Sequence, residues 1–200
     1  EVPDYLNLSP RQRSLIPKFL RDKAEKEINK VADEYLVEDD VDRYIVDGMN
    51  KVFYAIMAVR NDDKTIEIED LTVVPGRRRV NLMIALERIY HLLKPYQSQE
   101  FSIIGSARKT TSWPMIKNMA KEGWLIPVEG DSIRSVQRDD QGRVVDMNTS
   151  MESIGGERLH DFEFKLNLPS SLPDYIQKYA KEGYETIKKE STKNFFKIKR

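Results

Sequence analysis

The sequence predicts an α/β chain of the α+β kind, with antiparallel hairpins and one parallel strand-helix-strand crossover flanked by helices. Three observations carry this. Thr65 to Val74 (TIEIEDLTVV) alternates Ile66 and Ile68 with Glu67 and Glu69 and then turns apolar, the pattern of a strand that runs from an edge into a core. Val80 to Lys94 places Leu82, Leu86, Ile89 and Leu93 on one helical face, widened by Met83 and Tyr90. Phe101 to Gly105 (FSIIG) is short, apolar and β-prone, so strand, helix and strand together make a parallel crossover.

Residues 1 to 9 read as an arm, Ser9-Pro10 as an N-cap and first helical position, and Pro17 limits that first helix to about two turns. From Lys18 to Leu36 the residues Phe19, Leu20, Ala24, Ile28, Val31, Ala32, Tyr35 and Leu36 form an amphipathic stripe. A stripe of that length packs on the core or, as the other reading, on a partner. Glu38 to Asp42 is an acidic turn in which Asp39 or Asp40 caps a short helix through Val46, broken at Gly48. Capping is favoured over calcium, because the Gly and distal Glu spacing of a calcium loop is missing. Lys51 to Arg60 (KVFYAIMAVR) and Thr65 to Val74 form a long hairpin about Asn61 to Lys64.

Pro75-Gly76 ends the second strand of that hairpin and Pro95 closes the helix that follows. Ser112-Trp113-Pro114 opens another helix with Pro in a tolerated first-turn position, Gly123 stops it, and Trp124-Leu125-Ile126 begins a strand. Further on, Ile133 to Arg138 and Arg143 to Met147 make a hairpin about Asp139 to Gly142, and Asn148 to Glu157 reads as a polar loop. His160 to Leu168 alternates Phe162, Phe164, Leu166 and Leu168 as a half-buried strand, and a helix from Asp174 is interrupted at Gly183. Lys188 to Arg200 is a basic tail with Phe195 and Phe196, read as a solvated terminus before an RNA-binding or membrane-surface segment. The organisation expected is an N-terminal helical region over 1–44, a core over 45–130 and a C-terminal extension over 131–200.

The 200 residues suffice for one main domain with a substantial core. With 33 basic and 33 acidic residues the net charge is zero, so the bulk field recruits no nucleic acid and we expect no such partner. There is no cysteine, which excludes disulfides, thiolate zinc sites and cysteine nucleophiles and fits a reducing, cytoplasmic setting. His91 and His160 are far apart and no cluster has metal spacing, so no metal is expected. No apolar run approaches the roughly 20 residues that span a bilayer, and we expect no membrane partner. A start at Glu1 rather than Met points to upstream residues that were processed or not included.

The crossover places the first helix's N-terminus at the carboxyl end of its strand, where unpaired N–H groups and the helix dipole favour anions. Arg77, Arg78 and Arg79 stand just before it, either as part of a phosphate site or as a solvated turn. Here the residues resemble the GNAT family of N-acetyltransferases. Their motif is a strand ending in Val-x-Pro, then Arg or Gln, x, x, Gly, x, Gly or Ala, and a helix with Leu three residues on. Val73-Val74-Pro75 and Arg78-Arg79-Val80-Asn81-Leu82-Met83, with Leu86, fall in that register, and Met115 to Gly123-Trp124 looks like the family's later helix ending in Gly-Phe. The resemblance covers roughly residues 45 to 130 and implies a mixed, mostly antiparallel central sheet, acetyl-CoA as cofactor and an amine, on a small molecule or a protein, as acceptor.

Two departures stand out. Asn81 and Met83 replace both glycines of the pyrophosphate loop, where glycine lets backbone N–H groups approach a phosphate. Met119 stands where many members carry a tyrosine general acid. On the resemblance, Leu71 and Val73 offer main-chain groups to the cofactor, with Val73 N–H the oxyanion donor, and Arg77, Arg78, Arg79, Val80 and Asn81 hold the pyrophosphate. Glu67 is the first candidate base and Glu69 the second; side-chain alternation puts them on one face and Asp70 on the other. The bland alternative is that both glutamates pair with basic neighbours across the hairpin. Ser106 to Ser112, with Ser106 and Arg108, either hold pantetheine or adenosine phosphate or form a capped loop. A second function class fits the lost glycines and acid: a catalytically degenerate member acting as a structural or adaptor subunit, in a homo-oligomer or a larger, virion-type assembly.

Overall fold

The computed structural model describes residues 40–49, 52–74, 78–154 and 156–197. Nine strands and three α-helices are described, in the order β1 (Arg43–Met49), β2 (Phe53–Arg60), β3 (Thr65–Val73), α1 (Arg78–Leu93), β4 (Ser102–Arg108), α2 (Trp113–Lys121), β5 (Leu125–Pro127), β6 (Ile133–Arg138), β7 (Val144–Thr149), β8 (Met151–Ile154), β9 (Glu157–Leu166) and α3 (Asp174–Lys197). A 3-10 segment, Lys94–Gln99, follows α1. The class is mixed α/β with a mostly antiparallel sheet and one parallel pair, as expected. The helices read from residues 10 to 36 and the last residues of the basic tail lie outside the described residues. No helix among the described residues is long and apolar enough to cross a membrane.

The main sheet runs β1-β2-β3-β4-β9-β5, with β8 also on β9, while β6 and β7 form a separate hairpin. Only β3 and β4 are parallel; every other described pair is antiparallel. Strand β9 comes from the 131–200 stretch and lies between β4 and β5, so that stretch completes the same sheet. The crossovers β3-α1-β4 and β4-α2-β5 step in one direction across the sheet, and a common right hand therefore puts α1 and α2 on one face. The register agrees with this. Ile45, Phe53, Ala55, Met57, Val59, Ile66, Ile68, Ile103, Phe162 and Phe164 share that face and belong to one core cluster with α1 and α2. Each fully buried side chain of this size contributes about 1.5–3 kcal/mol by leaving water.

Helix α3 lies on the outer side of α1 and antiparallel to it. Tyr90 and Lys94, near the end of α1, donate to Pro169 C=O, just ahead of α3. Further along α3, Tyr184 donates to Glu87 and Gly183 meets Val80 and Ile84 near the start of α1. The expected interruption at Gly183 is absent. A Cβ there would sit 2.6 Å from Val80 Cγ1 and 2.7 Å from Ile84 Cδ1, so glycine serves close helix packing rather than a break.

Two further expectations are corrected. Residues 43–49 form a strand, not a capped helix: Asp42 N–H bonds Val59 C=O and its carboxylate accepts from Asn61 N–H, so the acidic residues cap the hairpin end and β1 pairs along β2. The supposed polar loop 148–157 contains β8, which pairs with β9. Strand β4 also continues past Gly105 to Arg108, because β9 supplies partners for Ser106, Ala107 and Arg108.

Candidate functional site

The parallel bridges between β3 and β4 run only from Thr65 opposite Ser102 to Ile68 opposite Gly105. Beyond them β3 continues to Val73 and β4 to Arg108 without pairing each other, so the two strands part toward their carboxyl ends. Helix α1 begins beside that opening, at Arg78. Just past the last bridge the β2–β3 register jumps, with Met57 opposite Ile68 and Ile56 opposite Asp70, which leaves Glu69 as an extra residue in a bulge. The bulge shifts the parity of everything that follows.

Its consequence for the main chain is specific. Lys64 C=O accepts from Ser102 N–H, so even-numbered residues before the bulge turn their peptide groups toward β4. After it Val74 N–H bonds Val52 C=O on the β2 side, which turns Leu71 and Val73 toward the β4 side, where β4 has already diverged. The oxyanion donor expected at Val73 and the acceptor and donor at Leu71 thus face the opening. Their side chains point to the helices, Leu71 buried and Val73 half-buried.

The bulge also corrects the expected side-chain directions. Glu67 pairs opposite Ala58 and Asp70 opposite Ile56, so both lie on the outer face of the sheet, away from α1, while Glu69 is exposed at the bulge. Glu67 Oε2 accepts from Arg60 Nη1 at 2.6 Å, and Arg60 Nε reaches Asp40 Oδ2 at 2.8 Å. Burial works against the Arg60 cation, but hydrogen bonds from Asp40 and Glu67 and their charges outweigh it and hold the guanidinium pKa well above its ordinary value.

At the start of α1, Asn81 is buried and its Nδ2 donates to Val74 C=O at 2.9 Å, tying the helix to the end of β3. Val80 is half-buried beside Gly183. Met83 turns into the core at 8 % exposure, so it does not crowd the opening. Arg78 and Arg79 form the first turn of α1; Arg77 lies outside the described residues. Ser106 Oγ donates to Asp161 Oδ1 at 2.7 Å across β4 and β9, and Arg108 N–H bonds Ser112 Oγ, which closes the short turn into α2. Arg108 Nε stands 3.3 Å from Glu157 in an exposed pair that adds little stability.

A cluster not anticipated from sequence lies on the helix face of β9. The His160 ring stacks on Trp113 with centroids 4.7 Å apart and planes 8° from parallel, and its Nδ1 bonds Thr149 Oγ1 at 2.8 Å. Nε2 is buried and has no hydrogen-bond partner among the described residues. Burial, then the charges of Lys117 and Lys109, push the imidazole pKa down against the weaker pull of Asp146 and Asp161. The only sequence signal was parity, since His160 shares its register with Phe162 and Phe164.

This cluster predicts a pH dependence. A folded-state pKa below the ordinary value of about 6.5 makes the neutral ring the stable form, so stability is present above that value and is lost as pH falls below it. The melting temperature should fall between pH 7 and pH 5, and His160→Gln should flatten that part of the curve. An unchanged slope in the variant would place the acid sensitivity elsewhere.

No family model, curated protein or solved structure matches the chain.

Proposed function

We propose that the chain is a GNAT-like acyltransferase that moves an acetyl group from acetyl-CoA to an amine. The observation that carries this reading is the parting of β3 and β4 with a bulge at Glu69, which aims the peptide groups of Leu71 and Val73 into the gap beside the N-terminus of α1. Such a gap suits a pantetheine arm hydrogen-bonded to a strand, with Val73 N–H placed to stabilise the developing oxyanion and the first turn of α1, with Arg78 and Arg79, facing the pyrophosphate. Proximity and oxyanion stabilisation then supply the catalysis, and the acceptor amine must arrive neutral or lose its proton to a base. In the resting arrangement Glu67 is engaged by Arg60, so it serves as that base only on release from the guanidinium.

Titration with acetyl-CoA tests the reading. At 100 times the dissociation constant the cofactor should stabilise the fold by about 2.7 kcal/mol, which raises the melting temperature by about 5–10 °C for a domain of this size. Arg78→Ala should weaken binding by about tenfold. No thermal shift at millimolar cofactor sinks the proposal.

A second reading, a non-catalytic member of the same fold serving as an adaptor or structural subunit, is favoured by one particular set of residues. Glu67 is committed to an ion pair, and Met119, at 1 % exposure where a proton donor would stand, has nothing to donate. Cofactor binding without product across a panel of amines, together with a stable oligomer in light scattering, would select it.

A further inference from the structure

We propose that the open edge of β5, with the basic cleft beside it, is a docking site for an extended acidic peptide segment of a partner protein, which adds to the main sheet as a further antiparallel strand. The proposal does not rest on the acyltransferase reading, since β5 lies two strands beyond β4 and away from the β3–β4 opening. Among the described strands β5 pairs only with β9, and it ends the sheet. Asn167 N–H donates to Trp124 C=O and Val128 N–H donates to Glu163 C=O, so the even-numbered residues of this stretch turn their peptide groups to β9. Leu125 and Pro127 therefore turn theirs outward. An added strand meets a donor and an acceptor at Leu125 but only an acceptor at Pro127, whose nitrogen carries no hydrogen. That suffices for one short pairing and limits an indefinite stack of strands.

The chemistry beside the edge selects the occupant. A cleft of about 340 Å³ lies between β5, the end of α2 and the β6–β7 turn, a size in the range of ligand clefts. Lys121, Arg138 and Arg143 line it against one carboxylate, Glu122, on a chain whose net charge is zero. The turn holds both guanidinium groups in place: Arg143 Nε donates to Asp139 Oδ2 at 2.8 Å and Arg138 Nη1 to Gly142 C=O at 3.0 Å. Each keeps further N–H groups without a partner among the described residues. Guanidinium groups fixed in this way match a carboxylate and lose little freedom on binding it. The face is set by register. Leu125, 1 % exposed and opposite Leu166, belongs to the core on the helix side, whereas Ile126 points to the other face and is 43 % exposed. In an antiparallel addition the residue opposite Leu125 shares its face and projects into the cleft, while the residues on either side of it lie with Ile126. The matching segment is therefore apolar, acidic, apolar, with Asp or Glu toward Arg138 and Arg143 and β-branched neighbours covering Ile126.

Fluorescence anisotropy of labelled synthetic peptides against the full chain tests this. The probe is Thr-Val-Glu-Val-Thr, and its two controls carry Lys in place of Glu, or N-methyl-Glu, which removes the hydrogen that pairs with Leu125 C=O. The Glu peptide should bind saturably below millimolar concentration, and each control at least about tenfold more weakly. The double variant Arg138→Gln with Arg143→Gln should lose about tenfold in affinity for the Glu peptide while unfolding at nearly the same temperature, since both side chains are exposed. Absence of binding, or equal binding of the Lys peptide, overturns the proposal. Equal binding of the N-methylated peptide overturns it by showing that charge alone holds the peptide, and undiminished binding by the double variant does so by placing the carboxylate elsewhere. If the double variant does not fold, the comparison of the three peptides on the native chain still decides.

Discussion

Arg88→Met should destabilise the protein by about 3 kcal/mol, the cost of stranding a buried carboxylate, and lower its melting temperature by about 6–12 °C. Asp47 is only 7 % exposed, on the helix face of β1, and both its oxygens accept from Arg88, Oδ2 from Nε at 2.7 Å and Oδ1 from Nη2. Burial opposes the Arg88 charge, but the hydrogen bonds and charge of Asp47 outweigh it and hold the guanidinium firmly protonated. Tyr184 stands next to the pair and donates to Glu87 at 2.7 Å; burial, then that bond, push its phenol pKa above the ordinary range. The network therefore ties the edge strand β1 to α1 and α1 to α3. The double variant Asp47→Leu with Arg88→Met should cost much less than the sum of the two single changes, because two apolar side chains leave no charge stranded. Thermal unfolding of the four proteins checks this. A loss under about 1 kcal/mol for Arg88→Met would reduce the pair to an ordinary surface bridge.

The stretch from β3 through α2 was legible because its periodicity switches from two to 3.6 and back, with Pro and Gly at the joints. Strand β1 was not legible for a physical reason: Asp39, Asp40 and Asp42 have the composition of a helix N-cap, and what makes 43–49 a strand is β2, a partner that local propensity does not see. The Asp47–Arg88 pair joins residues 41 positions apart, a contact only the crossover creates. At the candidate site, the strand ends and the helix start were readable, whereas the bulge was not. Simple alternation sent Asp70 away from Glu67, and one extra residue at Glu69 reverses that by changing which peptide groups meet β2. Likewise the alternation of Phe162 and Phe164 announces a strand without saying that it lies between β4 and β5.

Gly105→Ala should cost about 3–5 kcal/mol, summing a backbone strain of about 1–3 and an overpacking term of similar size. Gly105 has φ of +145°, and a Cβ there would lie 2.9 Å from Ile68 C=O oxygen and 3.2 Å from Phe162 Cζ. The ring has some freedom, but the carbonyl belongs to the β3 backbone at its last bridge to β4, so relief requires the strands to separate one step earlier. Gly142→Ala is the matched control: its φ is +76° in the exposed β6–β7 turn, and a methyl added there would meet no atom within 4 Å, so it should show strain alone, about 1 kcal/mol. Comparing the two melting temperatures isolates the close approach, and equal losses would refute it. Because the bridge at Gly105 is where the gap beside Leu71 and Val73 begins, the proposed acyltransferase function adds that Gly105→Ala weakens acetyl-CoA binding under conditions where the variant is still folded, whereas Gly142→Ala leaves it unchanged. A stability loss without any change in cofactor affinity would separate the fold's need for glycine from the proposed site.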